Sequence, residues 1–315
     1  MPEKTEIQVQ AGEPRKTIHF VSGLPRSGST IFCNVAAQNP RFHATATSGV
    51  LEILFTARNR FCELQQFQAM HEEDLDRKSV QMLRGILFGY YGDVEKPVIL
   101  EKSRSWESFA EMAEEILGHK PKIVCCVRDV RAVLASFEKL WRKTSSTRQL
   151  PDEKFNANNS QAFWNAKTVE GRCISLLQPN GGVVGTAITS ITEAINRGWR
   201  KSIHFLDYDE LCTEPKKTMR NLYDFLEEDF FDHNFDHIEQ VTYENDLVWV
   251  YKNLHKIRPK LEEPEPEPWK RVIPEELIDR LMINGKPLKT NSRFWEDLIR
   301  PVPTIRRKAE MGERE

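Results

Sequence analysis

The 315-residue chain lacks any apolar run approaching the ~20 residues that span a bilayer, so a membrane-spanning helix is not expected. Its first residues, M-P-E-K-T-E-I-Q-V-Q, carry no apolar core of a signal peptide, and the reading therefore expects a cytoplasmic protein. Cysteine is sparse. The six thiols include no C-x-x-C pair: Cys33, Cys62, Cys173 and Cys212 are scattered, and Cys125-Cys126 are neighbours within an apolar run. This argues against a zinc site or a disulfide framework and for buried, reduced thiols. An excess of either charge is also missing. With 45 basic and 47 acidic residues the formal net charge is -2, so no global field favours nucleic acid or an anionic membrane. A ligand carrying several phosphates would have to be met by local cations. There are no internal repeats. The length and the ordinary apolar content fit a globular protein with one large domain or two small ones.

What is present is concentrated between Lys16 and Thr30, K-T-I-H-F-V-S-G-L-P-R-S-G-S-T. Ile18, Phe20 and Val21 predict a strand; a glycine-bounded loop, Gly23 to Thr30, follows. Ile31, Phe32, Val35 and Ala36 then fall on one helical face, and Asn39-Pro40 stops the helix. A strand, a glycine loop and a helix bring backbone N–H groups together on a phosphate. The nucleoside-triphosphate loop G-x-x-x-x-G-K-[ST] uses its lysine on the terminal phosphates. Here that slot is Ser29, and the cation comes three residues earlier, as Arg26.

Further along, Arg41 to Gly49 reads as a small polar segment. A helix from near Ser48 carries the stripe Leu51, Leu54, Phe55, Arg58, Phe61 and Cys62. Another covers about 75–91 with Val80, Leu83, Leu87 and Tyr90 inward. Pro97 to Leu100 predicts a buried strand ending in Glu101-Lys102-Ser103-Arg104. An amphipathic helix from Trp106 is stopped by Gly118. Ile123 to Val127 predicts a strand that delivers Arg128-Asp129, and a helix with Val133, Leu134, Phe137, Leu140 and Trp141 comes next. Residues 144–162 read as a loop and a candidate lid. Helices at 161–177 and 184–198 precede a strand over Ile203 to Leu206, which leads into Tyr208-Asp209-Glu210-Leu211. Strands alternating with helices predict parallel βαβ units, and ligands bind beyond the carboxyl ends of such strands. That rule gathers the Gly23–Thr30 loop, Lys102 and Arg128 at one sheet edge. The Pro/Glu run from Leu261 to Pro268 predicts extended polyproline II. The expected organisation is a loose arm over 1–15, one domain over 16–299 with a spacer at 262–268, and a charged tail over 300–315.

Pro25-Arg26-Ser27-Gly28-Ser29-Thr30 after a strand resembles the 5′-phosphosulfate loop of sulfotransferases, which use 3′-phosphoadenosine 5′-phosphosulfate (PAPS) as donor and release the 3′,5′-bisphosphate, PAP. The resemblance spans roughly residues 17–275. It implies a P-loop-like three-layer α/β fold with a central parallel sheet. It places Arg26, Ser27, Gly28, Ser29 and Thr30 at the phosphosulfate, and Lys102, after the next strand, at the leaving oxygen. The family holds the 3′-phosphate of PAPS with a strand-end arginine and a serine eight residues later, here Arg128 and Ser136. Its tyrosine near the nucleotide corresponds to Tyr208. The segments His255 to Arg258 and Trp269 to Glu275 look more like the tyrosyl-protein branch than the cytosolic small-molecule branch, whose R-K-G-x-x-G-x-W segment is missing. Lys270 becomes a candidate nucleotide contact. The histidine that many cytosolic members carry after the lysine is Arg104 here. The glutamate of the tyrosyl-protein branch falls near Ala46 to Ser48, where no carboxylate stands. Glu52 is the nearest substitute for a base, with His43 and Glu101 as rivals.

The reading is thus a PAPS-dependent sulfotransferase with no metal. Its acceptor is left open among small molecules, glycans, lipids and peptides, and a homodimer is left open too. The alternatives are a P-loop kinase of a small metabolite, with Asp129 as metal ligand, and a non-catalytic nucleotide-binding protein.

Overall fold

In the computed structural model of the chain, the described residues are 16–146, 167–249 and 253–299. The expected arm at 1–15 and tail at 300–315 lie outside them, as does most of the expected loop. Residues 144–146 belong to a helix.

The elements follow in the order β1 (Thr17–Gly23), α1 (Ser29–Ala36), β2 (Phe42–Thr47), α2 (Val50–Glu63), α3 (Gln65–Gln68), α4 (Glu72–Tyr90) and β3 (Val98–Lys102). A 3-10 turn at Trp106–Phe109 leads into α5 (Ala110–Leu117), β4 (Ile123–Val127), α6 (Val130–Ser146), α7 (Val169–Leu177) and α8 (Val183–Asn196). β5 (Ile203–Asp207), α9 (Tyr208–Thr213) and α10 (Pro215–Leu226) come next. A 3-10 turn at Asp246–Trp249 follows, and the described residues close with α11 (Glu275–Arg280), the short pair β6 (Met282–Ile283) and β7 (Lys286–Pro287), α12 (Leu288–Asn291) and α13 (Trp295–Ile299).

Five strands make one parallel sheet in the order β2-β3-β1-β4-β5. β1 is central, with Val21 opposite Lys102 of β3 and Gly23 opposite Cys126 of β4. The chain builds to one side of β1 through β2 and β3, then crosses to the other through β4 and β5. The crevice at the carboxyl ends of β1, β3 and β4 is therefore a switch point of the sheet. Strand side chains alternate between two cores. Ile18, Phe20, Ile99, Ile123, Cys125 and Val127 pack with α2, α4, α5, α6 and α8. Val21, Val98, Leu100, Val124 and Cys126 pack with α1 and α10. Helices on both faces of a parallel sheet make the three-layer α/β fold the sequence implied. The neighbouring thiols Cys125 and Cys126 point to opposite faces, as the period of two requires. Trp269, Ile273, Leu277, Leu288 and Trp295 join the first of these cores.

Several local readings need correction. Arg41 to Gly49 is not a polar connection: Phe42–Thr47 is the edge strand β2. Its small residues and single partner leave only a faint pattern, and its register shifts between Ala44 and Thr47. There the Thr45 hydroxyl takes over from the backbone, accepting from Lys102 N at 2.9 Å and donating to Leu100 O at 3.2 Å. β3 runs past its apolar stretch, so Glu101 and Lys102 are buried within the strand. On α4, Tyr90 faces solvent, while Tyr91, just beyond the helix, is buried. Phe55 and Cys62 on α2 are exposed, so five thiols are buried and one is not. Glu267 has a φ of 42°, outside polyproline II, so the Pro/Glu run is not uniformly extended.

Candidate active site

A cleft of about 970 Å³ opens at the carboxyl ends of the strands. Its walls include the loop Gly23 to Gly28, the start of α1, Lys102 to Arg104 after β3, Arg128 after β4, Ser136 on α6 and Tyr208 after β5. Residues Val248 to Trp249, Leu254 to Arg258 and part of the Pro/Glu run complete it. The local cations that a nearly neutral chain would need are present: Arg26, Lys102, Arg104, Arg128, Lys139, Lys256 and Arg258 all line it, against Glu262, Glu263 and Glu265.

The loop after β1 is shaped by two left-handed residues. Arg26 adopts φ 62°, uncommon for a side-chain-bearing residue. Its Nε donates to Ser136 Oγ at 3.1 Å, and its guanidinium also donates to the Leu254 carbonyl. Gly28 has φ 87°, and a Cβ there would stand 2.3 Å from Tyr208 Cδ2. Gly28 thus lets the tyrosine ring lie against the loop. Ser29 and Thr30 open α1 and face the cleft. The first N–H groups of a helix lack intrahelical acceptors, so they are available to an anion. Ser27 differs from the sequence expectation. Its buried hydroxyl lies 2.5 Å from Leu24 O and 2.9 Å from Cys126 O, and it braces the loop instead of facing the cleft.

Arg128 lies over the Tyr208 ring, 4.4 Å from the centroid. Its Nε is buried with no hydrogen-bond partner among the described residues, and the nearest carboxylate oxygen, Asp209 Oδ1, is 3.8 Å away. A buried guanidinium nitrogen left without an acceptor is the feature expected of a cation awaiting an anionic ligand. The chain beyond α12 buttresses this strand end: Val130 N donates to Ser292 O at 2.9 Å, and Arg293 Nη2 reaches Asp207 Oδ2 at 2.6 Å. Asp207 in turn caps α9 through the N–H groups of Asp209 and Glu210, which sets Tyr208 in place. Burial raises the Tyr208 phenol to about 12, so it stays protonated.

Lys102 is almost fully buried. Its Nζ sits 3.4 Å from Thr30 Oγ1 and 3.1 Å from Glu244 Oε1. The same Glu244 oxygen accepts from Thr47 N at 2.8 Å and Thr47 Oγ1 at 2.9 Å. Its other oxygen, Oε2, is 3.0 Å from Nδ1 of His255, and that nitrogen lies 2.7 Å from Asp246 Oδ1. Burial pushes the Glu244 carboxyl up, but Lys102, the Thr47 N–H and His255 together hold it below its ordinary value. Burial holds His255 below its ordinary value against the pull of Glu244 and Asp246, and Lys102 acts in the same direction as burial. A carboxylate only accepts, so the contact with Asp246 calls for a proton on Nδ1, and in the neutral ring that leaves Nε2 as the acceptor atom of a residue lining the cleft.

Besides Ser27, two of the expected residues are not brought to the cleft. Glu52 is exposed on α2, because that helix turns Leu51 and Leu54 to the core and leaves Glu52 to solvent. Lys270 is exposed and paired to Glu267 at 2.6 Å. The rival bases also point elsewhere. His43 lies in β2 beside Tyr91, and Glu101 is buried among Ser48, Ser103, Tyr91 and Trp106. The acid–histidine pair was missed because Glu244, Asp246 and His255 lie in an irregular stretch with no periodic pattern. The only local signal was the spacing of two carboxylates shortly before a histidine.

No curated protein matches the sequence. The solved sulfotransferase domain of the Synechococcus PCC 7002 olefin synthase is similar over 94% of this chain and 100% of that one, with 17% identity and a TM-score of 0.50. The sulfotransferase domain from the curacin biosynthetic pathway covers 92% and 99%, with 13% identity and a TM-score of 0.49. A retinol dehydratase solved with androsterone and the inactive cofactor PAP covers 92% and 82%, with 12% identity and a TM-score of 0.43. Among family models, the one for the sulfotransferase domain matches residues 16–282, and the chain belongs to that family.

Proposed function

We propose that the cleft is the active site of a PAPS-dependent sulfotransferase acting on a hydroxyl or amine, and that residues 16–299 work as one domain. The observation that carries this reading is the buried, acceptor-less Nε of Arg128, which lies over Tyr208 in the same cleft as the Gly23–Thr30 loop. A second cation supplied from the end of β4, outside the loop itself, suits a nucleotide that carries a further phosphate besides those at its 5′ position and has no use in a plain triphosphate enzyme.

In this reading PAPS supplies the sulfuryl group on a phosphate oxygen. Arg128 and Ser136 hold the 3′-phosphate, with Tyr208 beside the nucleotide. Arg26, the N–H groups at the start of α1 and the hydroxyls of Ser29 and Thr30 hold the 5′ end. Lys102 stands where charge builds on the oxygen that leaves. We assign the base to His255, whose Nε2 accepts the proton of the acceptor. The acceptor oxygen or nitrogen forms its bond to sulfur as the bond from sulfur to the bridging oxygen breaks, and that electron pair stays on the 5′-phosphate. Fixed cations do the electrostatic work, and no step is assigned to a metal.

Calorimetry with PAP, beside ATP with and without Mg²⁺, tests the reading. Micromolar PAP binding with weak ATP binding is expected. Tight Mg²⁺-ATP binding with none for PAP would overturn it in favour of a kinase.

A further inference from the structure

Glu244 stands between the two groups that the proposed transfer needs on opposite sides of the moving sulfur. Oε1 holds the ammonium of Lys102 at 3.1 Å, and Oε2 faces Nδ1 of His255 at 3.0 Å. The carboxylate is nearly buried, with a side-chain exposure of 6%. Thr47 fixes Oε1 with two hydrogen bonds, so the group cannot swing towards either neighbour without breaking them. Oε2 is buried and makes no hydrogen bond among the described residues. Such an oxygen carries an uncompensated cost unless charge arrives at its partner.

Resting on the sulfotransferase reading, we propose that Glu244 is a positioning residue that couples the donor side of the site to the acceptor side. While Lys102 is paired with Glu244, much of the carboxylate's charge is offset, and the ammonium also disfavours a proton on His255. When an anion at the 5′ end draws Lys102 away, the carboxylate loses its counter-charge. Its field then falls on His255, whose affinity for a proton rises. The charged groups facing that ring are Glu244, Asp246 and, across Glu244, Lys102. Asp246 keeps its contact with Nδ1 throughout and orients the ring, while Glu244 changes what the ring experiences. The consequence is an order of events: the histidine becomes an effective base only after the donor end is filled. Acceptor activation without a donor in place is disfavoured.

The experiment is an NMR titration of His255 in the full chain, with and without saturating PAP, alongside calorimetry of PAP on the same sample. His255→Gln identifies the resonance. PAP carries the 5′-phosphate that would engage Lys102, and no acceptor is required. The expected result is a rise of the His255 midpoint by about one pH unit on PAP binding, the size an unmasked neighbouring carboxylate produces. Most of that rise should vanish in Glu244→Gln, which keeps the shape and the Thr47 contact. PAP binding with an unmoved midpoint in the native chain overturns the coupling and leaves the sulfotransferase reading intact. A full rise retained in Glu244→Gln also overturns it, because the donor's own charge would then be the cause. Absence of PAP binding overturns the sulfotransferase reading itself, and the coupling falls with it.

Discussion

Arg26 and Ser136 are joined directly: Nε of the loop arginine donates to the serine hydroxyl at 3.1 Å, tying the turn after β1 to α6. The sulfotransferase resemblance implies that Arg26 serves the 5′ end of the donor and Ser136 its 3′-phosphate. Arg26 makes this contact from a left-handed backbone conformation, φ 62°, which is uncommon for a residue with a side chain.

The first prediction follows from that contact. Arg26→Ala and Ser136→Ala should each weaken PAP binding, and the double variant should lose less than the sum. A coupling of about 1 kcal/mol is expected for such a hydrogen bond. Calorimetric affinities of the four proteins decide it, and strict additivity would show that the two residues act independently.

Arg128→Ala should weaken PAP binding by more than about tenfold, since it removes a charge-assisted contact to a phosphate. Arg128→Lys should restore only part of the loss, because a lysine cannot reproduce the planar fork and its place on the Tyr208 ring. An unchanged affinity in Arg128→Ala would remove this residue from the donor site.

Lys102→Met should behave differently. Turnover should fall by about 10²–10³-fold, the scale of losing one preorganised charge at a developing anion. PAP affinity should change far less. Equal losses in single-turnover rate and in affinity would assign Lys102 to ground-state binding.

Gly28→Ala should destabilise the fold by about 1–3 kcal/mol through its positive φ and its collision with Tyr208. Adding Tyr208→Ala should recover the steric part only. Denaturant midpoints of the single and double variants measure this. Equal stability of Gly28→Ala and the native chain would mean that the loop can relax.

A pH dependence follows from two histidines, the buried His233 and the half-buried His204. Burial lowers both His204 and His233 to about 4. Between about pH 6.5 and pH 4 the unfolded chain binds protons that the folded chain refuses, so these groups make stability fall as pH falls through that window. Above it their contribution is constant. His204→Gln should make the loss of stability between pH 7 and pH 5 less steep, as read from denaturant titrations at the two pH values. An unchanged slope would mean that His204 gains its proton without cost to the fold.

Much of the cleft wall around the Gly23–Thr30 loop was legible because it is written in contiguous residues. Ile18 to Ile31 contains its own strand, turn and helix start, and the residues just after β3, β4 and β5 are fixed by where short apolar runs end. The Gly23–Thr30 loop, Lys102 and Arg128 could therefore be assigned to one edge before any contact was known, and cleft-lining Tyr208 was reached through the family resemblance. Ser27 was misjudged because local pattern does not say which way a hydroxyl turns: its neighbours Leu24 O and Cys126 O come from two different strands' ends. Strand β2 escaped because an edge strand of small residues needs its partner to be seen.

The sequence by itself determined the parallel α/β architecture and the glycine-bounded turn from β1 into α1, because hydrophobic period and glycine placement act over a few neighbouring residues. Only the tertiary structure decided which groups meet Lys102. Glu244 reaches Lys102 across 142 residues of chain, and His255 meets both Glu244 and Asp246 within an irregular stretch. Those contacts arise from packing of non-periodic backbone against the sheet edge, where the desolvated lysine provides the charge that a buried carboxylate requires. No local rule in the chain encodes that meeting.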